Sequence, residues 1–107
     1  MIRLALIATL CLVSAAPALA DAIDGEWCSA KNHRLTIRGP RITTPSGTQM
    51  EGTYSRHAFS YIAPEGDADA NADVQMQLLN EDTLKVERRR GGAAETTEIW
   101  RRCQVVS

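Results

Sequence analysis

From residue 34 onward, apolar side chains recur at every second position. In "RLTIRGPRITTPSG", Leu35 and Ile37 alternate with arginines and Thr36. Gly39-Pro40 interrupts, Ile42 and Thr44 resume the alternation, and Pro45-Ser46-Gly47 interrupts again. A period of two marks strands with one buried face, and Gly, Pro and Ser clusters mark the turns between them. "TQMEGTY" places Met50, Gly52 and Tyr54 on one face. "AFSYIA" does the same for Phe59, Tyr61 and Ala63, and "DVQMQLLN" for Val74, Met76 and Leu78. "TLKVERR" adds Leu84 and Val86, and "TTEIWRRC" closes the chain. No segment carries a helical stripe. The pattern predicts an all-β fold: a small antiparallel meander of about seven strands, closed into a barrel or sandwich.

The two ends share a device. Along "AIDGEWCS", Ile23, Gly25 and Trp27 share a face, and Cys28 lies on the other. Along "TEIWRRC", Trp100 shares a face with Glu98 and Arg102, and Cys103 lies on the other with Ile99 and Arg101. If the first and last strands pair, both tryptophans point inward and both sulfurs outward. Ile99 is then sent outward too.

Residues 1–20, "MIRLALIATLCLVSAAPALA", read as a secretory signal peptide. Arg3 precedes an apolar run from Leu4 to Val13, and Ala18-Leu19-Ala20 supplies the small-x-small cleavage pattern. The run is shorter than the roughly 20 residues a membrane span needs. Leu10 stands before Cys11, where a lipobox wants a small residue. Cleavage after Ala20 leaves residues 21–107 as a single β domain in the periplasm or outside the cell, with no membrane span. Cys11 departs with the leader, so Cys28 and Cys103 are expected to form one disulfide. The whole chain has 12 basic and 13 acidic residues; losing Arg3 leaves 11 against 13, a net charge of −2. That balance argues against nucleic-acid partners and against an anionic membrane surface.

Gly25-Glu26-Trp27, with Arg101 and Arg102 near the chain end, resembles the calycin (lipocalin-like) G-x-W feature. The resemblance implies that Trp27 plugs one end of a barrel and that a late arginine packs across its indole. Ser46-Gly47 resembles the start of the S-G-x-x-Y loop of one class of lysozyme inhibitors, with Met50 in place of the tyrosine. The layout as a whole is similar to small exported alphaproteobacterial proteins of unassigned activity.

Three stretches carry candidate chemistry. In "EGDADANAD", Asp67, Asp69, Asn71 and Asp73 alternate like the opening of an EF-hand loop. Ala72 and Leu78 stand where that loop needs Gly and Glu, so a mobile acidic loop is expected rather than a calcium site. His33 and His57 lack partners at metal-ligand spacing. Neither Ser55 nor Ser60 beside His57 sits in a nucleophile frame, so no catalytic residue and no cofactor are expected. "SRHAFSY" sets Arg56 and His57 between Tyr54 and Phe59, with Tyr61 following. These five are the candidate binding residues, as a rim of aromatic and cationic groups; the plainer reading is a turn between core aromatics. "ERRRGG" predicts a basic hairpin with Val86 and Trp100 inside and Arg88 able to meet Glu98.

The function expected is an exported binding or interaction module without catalytic activity, engaging a periplasmic protein or a small ligand. The alternative is an inhibitor of an exported hydrolase, of protease or lysozyme type, acting through loop 43–49 at a barrel mouth.

Overall fold

The computed structural model describes residues 22–104; the leader and its cleavage site lie outside the described residues. Nine antiparallel strands form one sheet: β1 (Gly25–Cys28), β2 (Arg34–Arg38), β3 (Arg41–Thr43), β4 (Gln49–Glu51), β5 (Thr53–Ser55), β6 (Ala58–Ile62), β7 (Asp73–Asn80), β8 (Thr83–Arg90) and β9 (Ala93–Arg102). Their order is β4-β3-β2-β1-β9-β8-β7-β6-β5. All-β and antiparallel is as the alternation predicts.

Two expectations need correction. Among the described residues there are nine strands rather than about seven, because β1 adds one to the runs that follow residue 34 and Gly52 divides "TQMEGTY" into two. The ladder is also not closed into a barrel, since the edge strands β4 and β5 do not pair with one another. The reason is local. One residue, Gly52, separates them, and consecutive antiparallel strands need at least a two-residue turn to face each other. The two halves of 49–55 take different partners instead. Met50 pairs with Ile42 of β3, and Tyr54 with Phe59 of β6. Only glycine fits at the join. A Cβ there would lie 2.5 Å from the Ser60 carbonyl oxygen and 2.6 Å from the Phe59 ring. The same bend separates residues that alternation put on one face: Met50 packs against the core, whereas Tyr54 is exposed.

The inward positions otherwise follow the period of two. Leu35, Ile37, Ile42, Phe59, Tyr61, Val74, Met76, Leu84 and Val86 are buried, together with Ile23, Trp27 and Trp100. Both tryptophans are fully enclosed. β1 pairs with β9, setting Trp27 opposite Arg102 and Cys28 opposite Arg101. The disulfide Cys28–Cys103 forms there, with Cα atoms 5.0 Å apart. Ile99 faces outward opposite Lys85.

The segment before β1 is fastened to one end of the sheet. Ala22 and Ile23 are buried, and the Ile23 amide donates to the Arg56 carbonyl at 2.7 Å. The Trp27 indole N–H donates to the Ile23 carbonyl at 2.9 Å. Arg102 lies over the Trp27 ring, 4.1 Å from its centroid. Its guanidinium donates to the carbonyls of Glu81 (2.7 Å), Asp24 (2.6 Å) and Ala22 (2.8 Å). Gly25, at φ +130°, leaves the space this needs, since a Cβ would lie 2.5 Å from Arg102 Nη1. The first residue of G-x-W is thus required by the arginine that covers the third.

Candidate functional site

Three loops and one hairpin converge at the end of the sheet where β1 finishes. In loop 29–33, the Ser29 hydroxyl accepts from the amides of Lys31 and His33, both at 3.1 Å. Asn32 takes positive φ, 67°, a conformation asparagine tolerates better than most residues. This tight turn presents Lys31 and His33 to solvent.

Loop 44–48 is closed on itself. The Thr44 amide donates to the Thr48 carbonyl (2.8 Å), and the Gly47 amide to the Thr44 carbonyl (2.8 Å). The Thr44 hydroxyl accepts from the Thr48 amide at 3.2 Å and is buried. Only Ser46 and Gly47 form an exposed tip.

Loop 63–72 corrects the expectation of a mobile acidic loop. Ala63 and Asn71 donate to the carbonyls of Ala72 and Ala63 at 2.9 and 2.8 Å, which closes the loop at its base. Asp67 is nearly buried and accepts from the Thr48 hydroxyl at 2.7 Å. Asp69 accepts from Arg88 Nε at 2.7 Å. Asp73 accepts from the Gln75 amide group at 3.2 Å. The alternating carboxylates thus have separate protein partners and do not converge. No group of three or more metal-ligating side chains occurs among the described residues.

Arg88 ties the loop to the hairpin. Besides Asp69 it reaches Glu98 Oε1 at 3.2 Å, and its side chain is 14% exposed. Glu98 also accepts from the Trp100 indole N–H at 2.9 Å, so one line of contacts runs from the acidic loop into the core. Burial weakens the Arg88 charge, but Asp69 and Glu98 outweigh it and hold the guanidinium more basic than usual. Burial also works against the Glu98 carboxylate, yet the Trp100 N–H and Arg88 prevail and lower its pKa. Tyr61, behind the loop, is pushed up to about 12 by burial first and then by Asp67 and Asp69, so its phenol stays neutral.

The sign of the Glu98 shift sets an acid limit. A carboxylate whose folded pKa lies below its ordinary value of 4.5 contributes stability above that pH and loses it as pH falls through the folded pKa. The thermal midpoint is therefore expected to fall below about pH 4.5. Glu98→Gln should melt lower than the wild type at pH 7, with the gap narrowing as the buffer is acidified. Paired melts from pH 7 to 3 check this; a gap that does not change with pH would remove Glu98 from the account.

Together these elements surround a pocket of about 260 Å³, lined by Lys31, His33, Ser46, Asp69, Arg88 and Glu98 among others. It offers charges of both signs on a braced frame, with the Lys31 and His33 side chains exposed.

The five candidate binding residues between 54 and 61 do not come together as one rim. Phe59 and Tyr61 point into the core, edge to face with centroids 6.4 Å apart. Tyr54 stands at the sheet edge, edge-on to Phe59 at 6.4 Å. Its hydroxyl donates to Asp24, whose other carboxylate oxygen accepts from the Gly39 amide at 2.8 Å. That hydrogen bond, then partial burial and the Asp24 charge, raise the Tyr54 pKa. Arg56 and His57 occupy the exposed β5–β6 turn, at the opposite end of the sheet from the pocket. Their carbonyls accept from Ile23 and Leu78 (2.7 and 2.8 Å). Of the two late arginines, Arg102 covers Trp27, while Arg101 donates to the Thr83 hydroxyl at 3.1 Å.

Sequence reasoning paired Arg88 with Glu98 but passed over Lys31 and His33 as site residues, and it left Asp69 in solvent. Alternation says which side of a strand a residue takes, but not which loops meet. No family model matches the chain, and neither a curated protein nor a solved structure is similar to it at a significant level.

Proposed function

We propose that the chain is an exported binding or interaction module without catalytic activity, cleaved after Ala20 and working in an oxidising compartment such as the periplasm. The observation that carries the reading is the braced pocket, with charged side chains in its lining, between loops 29–33, 44–48 and 63–72. A recognition surface already held in place loses little conformational entropy on binding. The core behind it is filled by two tryptophans and their neighbours, which favours binding at the surface over carriage of a ligand inside. The Cys28–Cys103 bond supports the compartment. The stack of Arg102 on Trp27 supports the calycin-like reading of G-x-W.

A photo-crosslinking residue at Ser46, in cells expressing the full chain, is expected to yield a discrete adduct that is lost in Lys31→Gln/His33→Gln. Absence of any adduct counts against the pocket. The hydrolase-inhibitor reading draws on the same end of the sheet, where Ser46 and Gly47 are exposed beside the pocket. Its loop is short and held down by Thr44 and Thr48, which favours the module. Lysozyme and serine proteases should keep full activity with excess protein present; stoichiometric loss of activity would reverse the order of the two readings.

A further inference from the structure

Two arginines far from the pocket make no side-chain ion pair or hydrogen bond among the described residues. Arg38 and Arg41 are direct cross-strand partners flanking the Gly39-Pro40 turn, and both are exposed on the outer face of the sheet. Like charges placed directly opposite each other destabilise a ladder. Every other described arginine is engaged. Arg34 pairs with Glu26, Arg88 with Asp69 and Glu98, Arg89 with Glu87, and Arg90 with Glu95. Arg101 rests on Thr83, Arg102 on three carbonyls, and Arg56 also has a partner. Glu51 stands opposite Arg41 on β4, with no ion pair between them among the described residues.

Arg38 also lines an open groove of about 510 Å³ along the outside of β1, between β2 and residues 102–104. The other charges in this groove are committed. Asp24 accepts from Tyr54 and Gly39, Glu26 pairs with Arg34, and Arg102 serves its carbonyls. One guanidinium is left uncommitted in the groove, with a second directly across the ladder.

We infer that this groove, lined by Arg38 and with Arg41 across the ladder from it, docks an extended acidic segment of a partner protein. A carboxylate matches the guanidinium fork and would relieve the repulsion between the two arginines. Asp24 and Glu26 in the groove and Glu51 opposite Arg41 repel a continuous phosphate backbone, whereas a peptide can set separate carboxylates at the guanidinium groups and uncharged residues beside these three. The full chain carries net charge −1, so any attraction for an acidic peptide comes from this local patch and not from the whole molecule. The inference rests on the binding-module reading and adds the chemistry and place of the partner.

The test uses the disulfide-intact protein and a fluorescein-labelled hexaglutamate peptide, with hexaglutamine as control, followed by anisotropy at low ionic strength. The wild type should bind hexaglutamate and not hexaglutamine, and added salt should weaken binding. Arg38→Gln/Arg41→Gln should weaken binding by about tenfold, with a thermal midpoint equal to or above the wild type because the like-charge pair is gone. Lys31→Gln, a cation lost at the opposite end, should bind as the wild type does. Equal binding by the double variant and the wild type would overturn the inference. So would loss in Lys31→Gln instead, although that result would leave the pocket reading standing. Self-association of the wild type that the double variant abolishes would assign the groove to a second copy of the chain, and also overturns it.

Discussion

Cys28→Ala is expected to lower the thermal midpoint by well over 10 °C. The bond it removes joins the first strand to the last and closes a loop with a sequence separation of 75. Loop-closure entropy puts the stabilisation at roughly 4 kcal/mol. A domain of this size has a total stability of only about 5 kcal/mol or a little more, and each kcal/mol moves its midpoint by several degrees. Reduction of the wild type should match the variant. Melting followed by circular dichroism, with and without reductant, measures both. The structure also says what should survive. Trp27 and Arg102 face inward, away from the sulfurs, so the sheet end keeps its arginine latch. Protein reduced and held below its lowered midpoint should retain its native near-ultraviolet spectrum. An unchanged melt in Cys28→Ala would mean that the cysteines serve chemistry rather than stability.

Trp27→Ala should be as severe, at about 3–5 kcal/mol, the usual cost of emptying a buried tryptophan site. Three separate contacts are lost together: the core packing, the hydrogen bond to the Ile23 carbonyl and the face on which Arg102 rests. Arg102 would keep its carbonyl partners and lose its platform, so the segment 22–24 should loosen with it. Trp27→Phe separates these contributions. It keeps a ring beneath the guanidinium but leaves the Ile23 carbonyl without its indole donor, and should cost about 1–3 kcal/mol. Urea titration gives the ordering, Trp27→Ala well below Trp27→Phe and both below wild type. A Trp27→Phe variant as unstable as Trp27→Ala would show that the indole hydrogen bond, not packing, carries the site.

Both effects could be anticipated because the features behind them are written as local pattern. Alternation in "RLTIR", "AFSYI" and "DVQMQ" specified which residues enter the core, since a strand sends successive side chains to opposite faces whatever surrounds it. The opposed Trp and Cys at each end predicted the inward indoles and the outward disulfide for the same reason. The count of cysteines after the leader predicted their pairing.

Tertiary structure decided what depends on which segments meet. Gly52 was legible as a strand residue, but its role as the join between the two edges follows from the Ser60 carbonyl and Phe59 ring pressing on it. Tyr54 left the core because the chain bends there. Asp69 looked like a solvated loop residue, and became half of an ion pair because β8 carries Arg88 beneath the loop. Arg101 and Arg102 were both named as able to cover Trp27; alternation put Arg102 on the inward face, and the register of β1 on β9 set it opposite Trp27. Periodicity is a property of one strand and can be read from one strand. Register, loop convergence and ion pairing are properties of two segments brought together, and the chain fixes them only by folding.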